Sequence, residues 1–280
     1  MSIARLMQMA RAGVPSGGGD VWTDPDLASA SYDSVSFSVA AQETTPQGIA
    51  ISDDGQTVFT TGNTGDAVYQ YSLSTAWDLS GAAYVGAFSV ASQSETNPQD
   101  LYVSPDGLNL YIIGTTLDSV LQYSMSIAWT LSSASYVSSK LVSAQDATPT
   151  GLYFKPDGTR LYISGNTGDA VYEYSLSTAF DVTTATYVQS FSVSVQETAI
   201  QSVLFNPDGT KMYITGGVGQ NVIEYAISTA WDISSASYNS VSFVLSSQDT
   251  APRGVWFKTD GTKMYMIGLT GDTIYQYSTA

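Results

Sequence analysis

The chain has 280 residues, with 25 acidic and nine basic side chains, 24 glycines, nine prolines, and neither cysteine nor histidine. Without cysteine there is no disulfide framework, thiolate chemistry or Cys-ligated metal centre, and without histidine the commonest general base and metal ligand is missing. A net charge of −16 repels phosphate backbones, so nucleic acid is not an expected partner.

The first segment runs from Met1 to Val14. Ile3, Leu6, Met7, Ala10 and Val14 form an apolar stripe at helical spacing, with Arg5 and Arg11 beside it. This is the one net-basic segment, because seven basic and all 25 acidic side chains lie from residue 20 onward. Pro15-Ser-Gly-Gly-Gly19 follows as a flexible spacer. Arg5, Gln8 and Arg11 interrupt any apolar core, so a secretory signal is not expected. No run of eighteen apolar residues offers a membrane span. We expect residues 1–19 to be an anchor peptide and tether, with a disordered tail as the plain alternative. Residues 20–280 are expected to form one domain.

From residue 42 the chain repeats. Asp-Gly recurs at Asp54, Asp106, Asp157, Asp208 and Asp260, at steps of 51 or 52 residues. Gln42, Gln93, Gln145, Gln196 and Gln248, each leading into an acid, keep the same step. In the third unit, Pro149–Phe154 is an apolar run ending in Lys-Pro-Asp-Gly158. Arg160–Ile163 follows and closes at Gly165-Asn-Thr-Gly-Asp169. Ala170–Leu176 and Tyr187–Val193 complete the unit. β-branched and aromatic runs punctuated by such turns are strand signals. Four short strands in about 51 residues, five times over, predict an all-β fold: a single five-bladed β-propeller with four strands per blade.

The fifth unit stops after its third strand, at Tyr275–Ala280. The missing piece stands at the other end, where Trp22–Tyr32 resembles the link and Val35–Val39 the fourth strand. We therefore expect the N-terminal strand to complete the last blade and close the ring. An open solenoid would need polar capping repeats, and none is visible.

Units of the form Gly-Leu-Tyr-Phe-Lys-Pro-Asp-Gly-Thr-Arg-Leu-Tyr-Ile (151–163) resemble the YVTN/NHL-type β-propeller repeats of bacterial and phage surface proteins. That resemblance covers residues 22–280 and implies the fold; propellers host enzymes, lectins and scaffolds alike. The opening Met-Ser-Ile-Ala-Arg-Leu-Met-Gln-Met-Ala resembles the starts of marine bacteriophage structural proteins. Together they imply a non-enzymatic virion protein, a head or tail decoration displaying the propeller for host-surface adhesion. Its expected partners are other virion proteins, met through residues 1–19, and a host glycan or protein. Several copies in one assembly and no membrane insertion are expected. The alternative is a bacterial surface or periplasmic lectin-like or protein-interaction propeller.

The acids sort against the repeat. Glu43, Glu95, Asp146, Glu197 and Asp249 follow the Gln marker, while Asp66, Asp118, Asp169 and Asp272 open the third strand. Strand alternation places both sets on one rim. Two readings stand: turn residues accepting backbone N–H bonds, or a rim holding Ca²⁺ or sugars through carboxylate oxygens. Gln220 replaces the acid in the fourth unit, and no loop has dense calcium-loop spacing. No other cofactor is expected. A glycoside hydrolase would need two carboxylates of distinct pKa that break the symmetry. Outside the repeat and the N-terminal segment only Asp53 and Asp100 remain, with Asp100, on an innermost strand, the one odd candidate. The link aromatics Trp77, Trp129, Phe180 and Trp231, with Trp22 as the displaced fifth, invite sugar stacking, but rings at a fixed repeat position suit packing better.

Overall fold

The computed structural model describes residues 22–280; the anchor residues Ile3, Arg5, Leu6, Met7, Ala10, Arg11 and Val14 lie outside them. Strand β1 is Ser31–Ser38. Blade 1 comprises β2 (Pro46–Ile51), β3 (Thr57–Gly62), β4 (Ala67–Leu73) and β5 (Ala82–Ser89). Blade 2 comprises β6 (Pro98–Val103), β7 (Asn109–Gly114), β8 (Ser119–Met125) and β9 (Ala134–Leu141). Blade 3 comprises β10 (Pro149–Phe154), β11 (Arg160–Gly165), β12 (Ala170–Leu176) and β13 (Ala185–Ser192). Blade 4 comprises β14 (Ile200–Phe205), β15 (Lys211–Gly216), β16 (Asn221–Ile227) and β17 (Ala236–Val244). Blade 5 comprises β18 (Pro252–Phe257), β19 (Lys263–Gly268) and β20 (Thr273–Ser278), completed by β1. The five-bladed propeller and its closure are as the sequence implies.

The closing strand is held by charge as well as by its ladder. A bulge between Tyr32 and Val35, with Ser34 at φ 59°, brings Asp33 over blade 5. Its Oδ2 accepts from Lys263 Nζ (2.7 Å) and Gln276 Nε2 (2.9 Å), and its Oδ1 from Ser278 Oγ (2.7 Å). Burial pushes the Asp33 pKa up, but these donors and the Lys263 charge outweigh it and hold the carboxyl below its ordinary value. Asp24 meanwhile reaches Lys211 (3.4 Å) and Asn206 Nδ2 (3.3 Å) on blade 4. The N-terminal segment thus ties two blades.

Neighbouring blades are stitched by recurring residues, with three of the five seams using a tyrosine and three a glutamine. Tyr265, Tyr111 and Tyr162 donate their hydroxyls to the carbonyls of Trp77, Phe180 and Trp231 in the next blade, each at 2.6 Å. Gln276, Gln70 and Gln122 accept from the backbone N–H of Leu79, Leu131 and Val182, also across blades. Those three residues open short 3-10 turns that periodicity does not reveal, two of them capped by Asp78 and Asp181.

The link aromatics are packing residues. Trp77, Trp129, Phe180 and Trp231 take φ of 54 to 67°. Each covers the glycine of its blade's Asp-Gly turn, where a Cβ would collide with the ring. Those glycines (Gly55, Gly107, Gly158 and Gly209) sit at φ 69 to 74°, so glycine is required twice over. Trp22 is not the fifth member. Asp26 Oδ1 accepts from Ala28 N as Asp78 Oδ1 does from Ser80 N, and Leu27 is buried as Leu79 is. Pro25 therefore occupies the link position, and Trp22 packs edge-on against Phe257.

Candidate functional site

Both series of predicted acids share one rim, the end where the connection between blades meets the turn between a blade's second and third strands. The first series lies inside it. Glu43, Glu95, Asp146, Glu197 and Asp249 are 0 to 3% exposed. Glu43 Oε1 accepts from Thr45 N (2.7 Å) and Thr64 N (3.0 Å), and Oε2 from Gly65 N (3.2 Å) and Tyr69 OH (3.3 Å). Asp146 repeats this with Thr148 N, Thr167 N, Gly168 N and Tyr172 OH. Glu95, Glu197 and Asp249 each take three or more backbone N–H groups from the matching positions. Burial raises the Glu43 pKa, and the Thr45, Thr64 and Gly65 hydrogen bonds more than reverse it, leaving it lowered.

The glycine ending each second strand makes room for that carboxylate. A Cβ on Gly62, Gly114, Gly165, Gly216 or Gly268 would collide with the acid of its own blade. A negative charge met by several N–H donors is stabilised, and each such bond contributes about 1.5–3 kcal/mol.

The second series works through its backbone. Asp66, Asp118, Asp169, Gln220 and Asp272 all sit at φ 46 to 51°. Their carbonyls accept from Val90, Val142, Val193, Leu245 and Val39 at 2.8–2.9 Å, locking each outer strand's exit. Asp tolerates the left-handed region, which explains its use there; Gln220 keeps the carbonyl contact. Asp272 has its pKa raised by burial and by the charges of Asp249 and Glu43.

This donor set does not fit Ca²⁺, which takes six to eight oxygens. The buried carboxylates face N–H groups, whose polarity opposes a cation. Among the described residues no group of three or more acids is arranged to hold a metal ion.

The Asp-Gly turns occupy the opposite rim. Asp54, Asp106, Asp157, Asp208 and Asp260 each accept from the N–H two residues on, at 2.9–3.0 Å. Here the symmetry breaks. Trp256 of β18 packs into the cores of blades 1, 2, 3 and 5, so it spans the ring axis. Tyr102 lies 6.4 Å from Trp256 and 5.4 Å from Tyr153, ring centre to ring centre. Beside these rings lies a pocket of about 50 Å³ whose walls include Asp53, Trp129 and Pro156. In sequence Trp256 reads as one more apolar strand residue, between Val255 and Phe257. Its signal was a departure from the repeat, whose other units hold Ala50, Tyr102, Tyr153 and Leu204.

Asp100 occupies neither rim's surface. It lies on β6 where the other innermost strands carry Gly48, Gly151, Ser202 and Gly254. Its oxygens accept from Leu101 N (2.9 Å) and Leu152 N (3.2 Å). Burial dominates these bonds and pushes its pKa well above the ordinary carboxylate value.

No family profile matches the chain, and no curated protein matches it. Solved structures do. A protein from Lactobacillus plantarum superposes with a TM-score of 0.52 at 16% identity, over 83% of this chain and 67% of its own. A putative 6-phosphogluconolactonase from Bacteroides uniformis gives 0.49 at 15%, over 82% and 60%. The periplasmic gluconolactonase of Pseudomonas aeruginosa gives 0.49 at 16%, over 83% and 66%. This chain thus spans about three fifths to two thirds of those proteins. At such identities the likeness shows the fold alone, a β-propeller, and the YVTN/NHL-type resemblance rests on the repeat residues themselves.

Proposed function

We propose that the chain is a non-enzymatic display module, a rigid ring presented for adhesion to a host cell surface and held to a bacteriophage virion by residues 1–19. One observation carries the first half: the acids repeated around the ring are engaged by the ring's own N–H groups. Glu43, Glu95, Asp146, Glu197 and Asp249 thereby supply rigidity to the ring. Asp100 lies inside the ring near the acid rim, and Asp53 on the turn at the far end of β2, so these two asymmetric acids do not form the pair that glycoside hydrolysis uses. The net-basic, apolar-striped Met1–Val14 and its glycine spacer support the second half, since they differ in charge and pattern from everything after them.

Deleting residues 1–19 is expected to leave the ring's melting temperature unchanged and to abolish incorporation into particles. Normal incorporation of the truncated chain overturns the anchor. Hydrolysis of glycosides or sugar lactones by the full chain overturns the non-enzymatic reading.

A further inference from the structure

We propose that the mouth of the ring's axis on the acid rim binds a carboxylate-bearing sugar, with Arg253 receiving the carboxylate. This rests on the adhesive reading and names the class of host glycan it would take.

The five innermost strands, β2, β6, β10, β14 and β18, contact one another in a closed ring. At the acid-rim end each skips register with its second strand: between Pro46 and Gly48, Pro98 and Asp100, Pro149 and Gly151, Ile200 and Ser202, and Pro252 and Val255. Such a bulge re-aims the side chain it leaves out of the ladder. The residues at these bulges are Gln47, Gln99, Thr150, Gln201 and Arg253. Arg253 Nη1 donates to Gln201 Oε1 of the neighbouring blade, so bulge residues meet across a blade seam at the axis.

Arg253 is the misfit of this set. Five other cations of the ring, Lys155, Arg160, Lys211, Lys258 and Lys263, each pair with a carboxylate. Arg253 pairs with none among the described residues, although it is half-buried and its Nε is buried without a hydrogen-bond partner. The acid whose charge reaches it is Asp249, and that carboxylate is already engaged by the N–H groups of Ala251, Thr270 and Gly271. A guanidinium keeps its proton. It is therefore a partly buried charge without a counter-ion, at a position where three other blades use a neutral glutamine. Gln47, only 6% exposed, makes no side-chain hydrogen bond among the described residues.

These unmet groups define the ligand. A guanidinium donates in a planar fork that matches a carboxylate. The Gln47 amide both donates and accepts, as sugar hydroxyls do. One carboxylate with several hydroxyls meets both groups. A neutral sugar leaves Arg253 unpaired, and a simple carboxylic acid leaves Gln47 unmet. A single negative charge also balances the single cation, whereas a more highly charged group meets the field of a chain of net charge −16.

The test titrates the full chain with methyl glucuronide, methyl glucoside, acetate and a blocked acidic peptide. The glucuronide should bind about tenfold or more tightly than the glucoside. Arg253→Gln should lose that preference while keeping or raising the melting temperature of the free chain, since it removes an unpaired charge. Arg253→Lys, which keeps the charge without the fork, should fall between the two. Gln47→Thr, using the third blade's residue, should weaken the glucuronide, and Lys140→Gln, on outermost strand β9, should match the parent. Undiminished preference in Arg253→Gln, equal binding of the two glycosides, or acetate binding as tightly as the glucuronide overturns the site and leaves adhesion standing. Binding of the peptide but not of the glucuronide overturns the assignment to a sugar. If neither glycoside binds while the full chain still attaches to host cells, the site falls and adhesion proceeds through another contact. Absence of both overturns the adhesive reading as well.

Discussion

On one rim of the ring five carboxylates are buried against backbone N–H groups; on the other, five Asp-Gly turns face solvent around a pocket of aromatic rings. The same 51-residue unit builds both. The acid rim is nearly identical in all five blades, because its acid, its glycine and its loop N–H groups form one closed unit and none can change alone. The turn rim varies, because an exposed turn residue has few obligations beyond its backbone angle. Asp53 departs from the repeat there, whereas Trp256 departs from it on an innermost strand packed across the ring. Conformity marks where the sequence holds the ring together, and departure marks where one blade differs from the rest.

The largest expected effect tests the closed unit. Asp146→Ala strips the acceptor from Thr148, Thr167 and Gly168 N–H and from the Tyr172 hydroxyl. Leaving several buried donors unpaired should cost about 3–5 kcal/mol, or roughly 10 °C in melting temperature for a chain of this size. Gly165→Ala, which drives a methyl into the same carboxylate, should cost about as much. Because the two variants break one unit, the double variant should lose clearly less than their sum in urea unfolding; additive losses would show that glycine and acid act independently. Asp66→Asn, which keeps the left-handed turn and its carbonyl contact, should cost under about 0.5 kcal/mol.

The turn rim should respond less, and for another reason. Gly158 sits at φ 72° beneath the Phe180 ring, so Gly158→Ala suffers both backbone strain and a collision. A loss of about 1–3 kcal/mol is expected. Placing it in a Phe180→Ala background should recover the collision component and retain about 1 kcal/mol from the backbone alone. Full recovery would mean the positive φ carries no cost, and the contrast between the rims would rest on packing only.

The blades and their closure were legible because turn residues and apolar runs recur at a fixed step, and Asp-Gly with strand alternation has few structural solutions. The shared rim followed from alternation as well. What could not be read was the partner of each acid. Glu43 lies 21 positions from Thr64, and nothing in the sequence says that the loop N–H groups of 64 and 65 converge on it. Gly62 carries no turn signature, since its role is to leave space for a carboxylate rather than to permit a backbone angle. Asp33 reads as a stray acid of the N-terminal segment until the bulge at Ser34 places it over Lys263. Trp22 precedes the link position by three residues, and only the register of Leu27 with Leu79 shows that Pro25 stands there.

A dependence on pH separates two buried acids. Glu43 has a lowered pKa, so its contribution is fully present above the ordinary value of 4.5 and is lost as pH falls through the folded value. Asp100 has a raised pKa, so the folded state binds its proton more tightly than the unfolded state does. Stability is then greatest below the ordinary value of 3.8 and is lost as pH rises through the window up to the folded pKa. Four of the five innermost strands carry glycine or serine at this position, so the ring closes without a carboxylate there. Asp100→Ser should match the parent at about pH 4 and exceed it at pH 7 by about 1–2 kcal/mol, the ordinary cost of burying a poorly compensated polar group. Melting temperatures measured from pH 4 to 8 check this. A gap independent of pH would mean that the Leu101 and Leu152 N–H groups compensate the charge in full, and that the ring's axis holds its asymmetric acid at no cost.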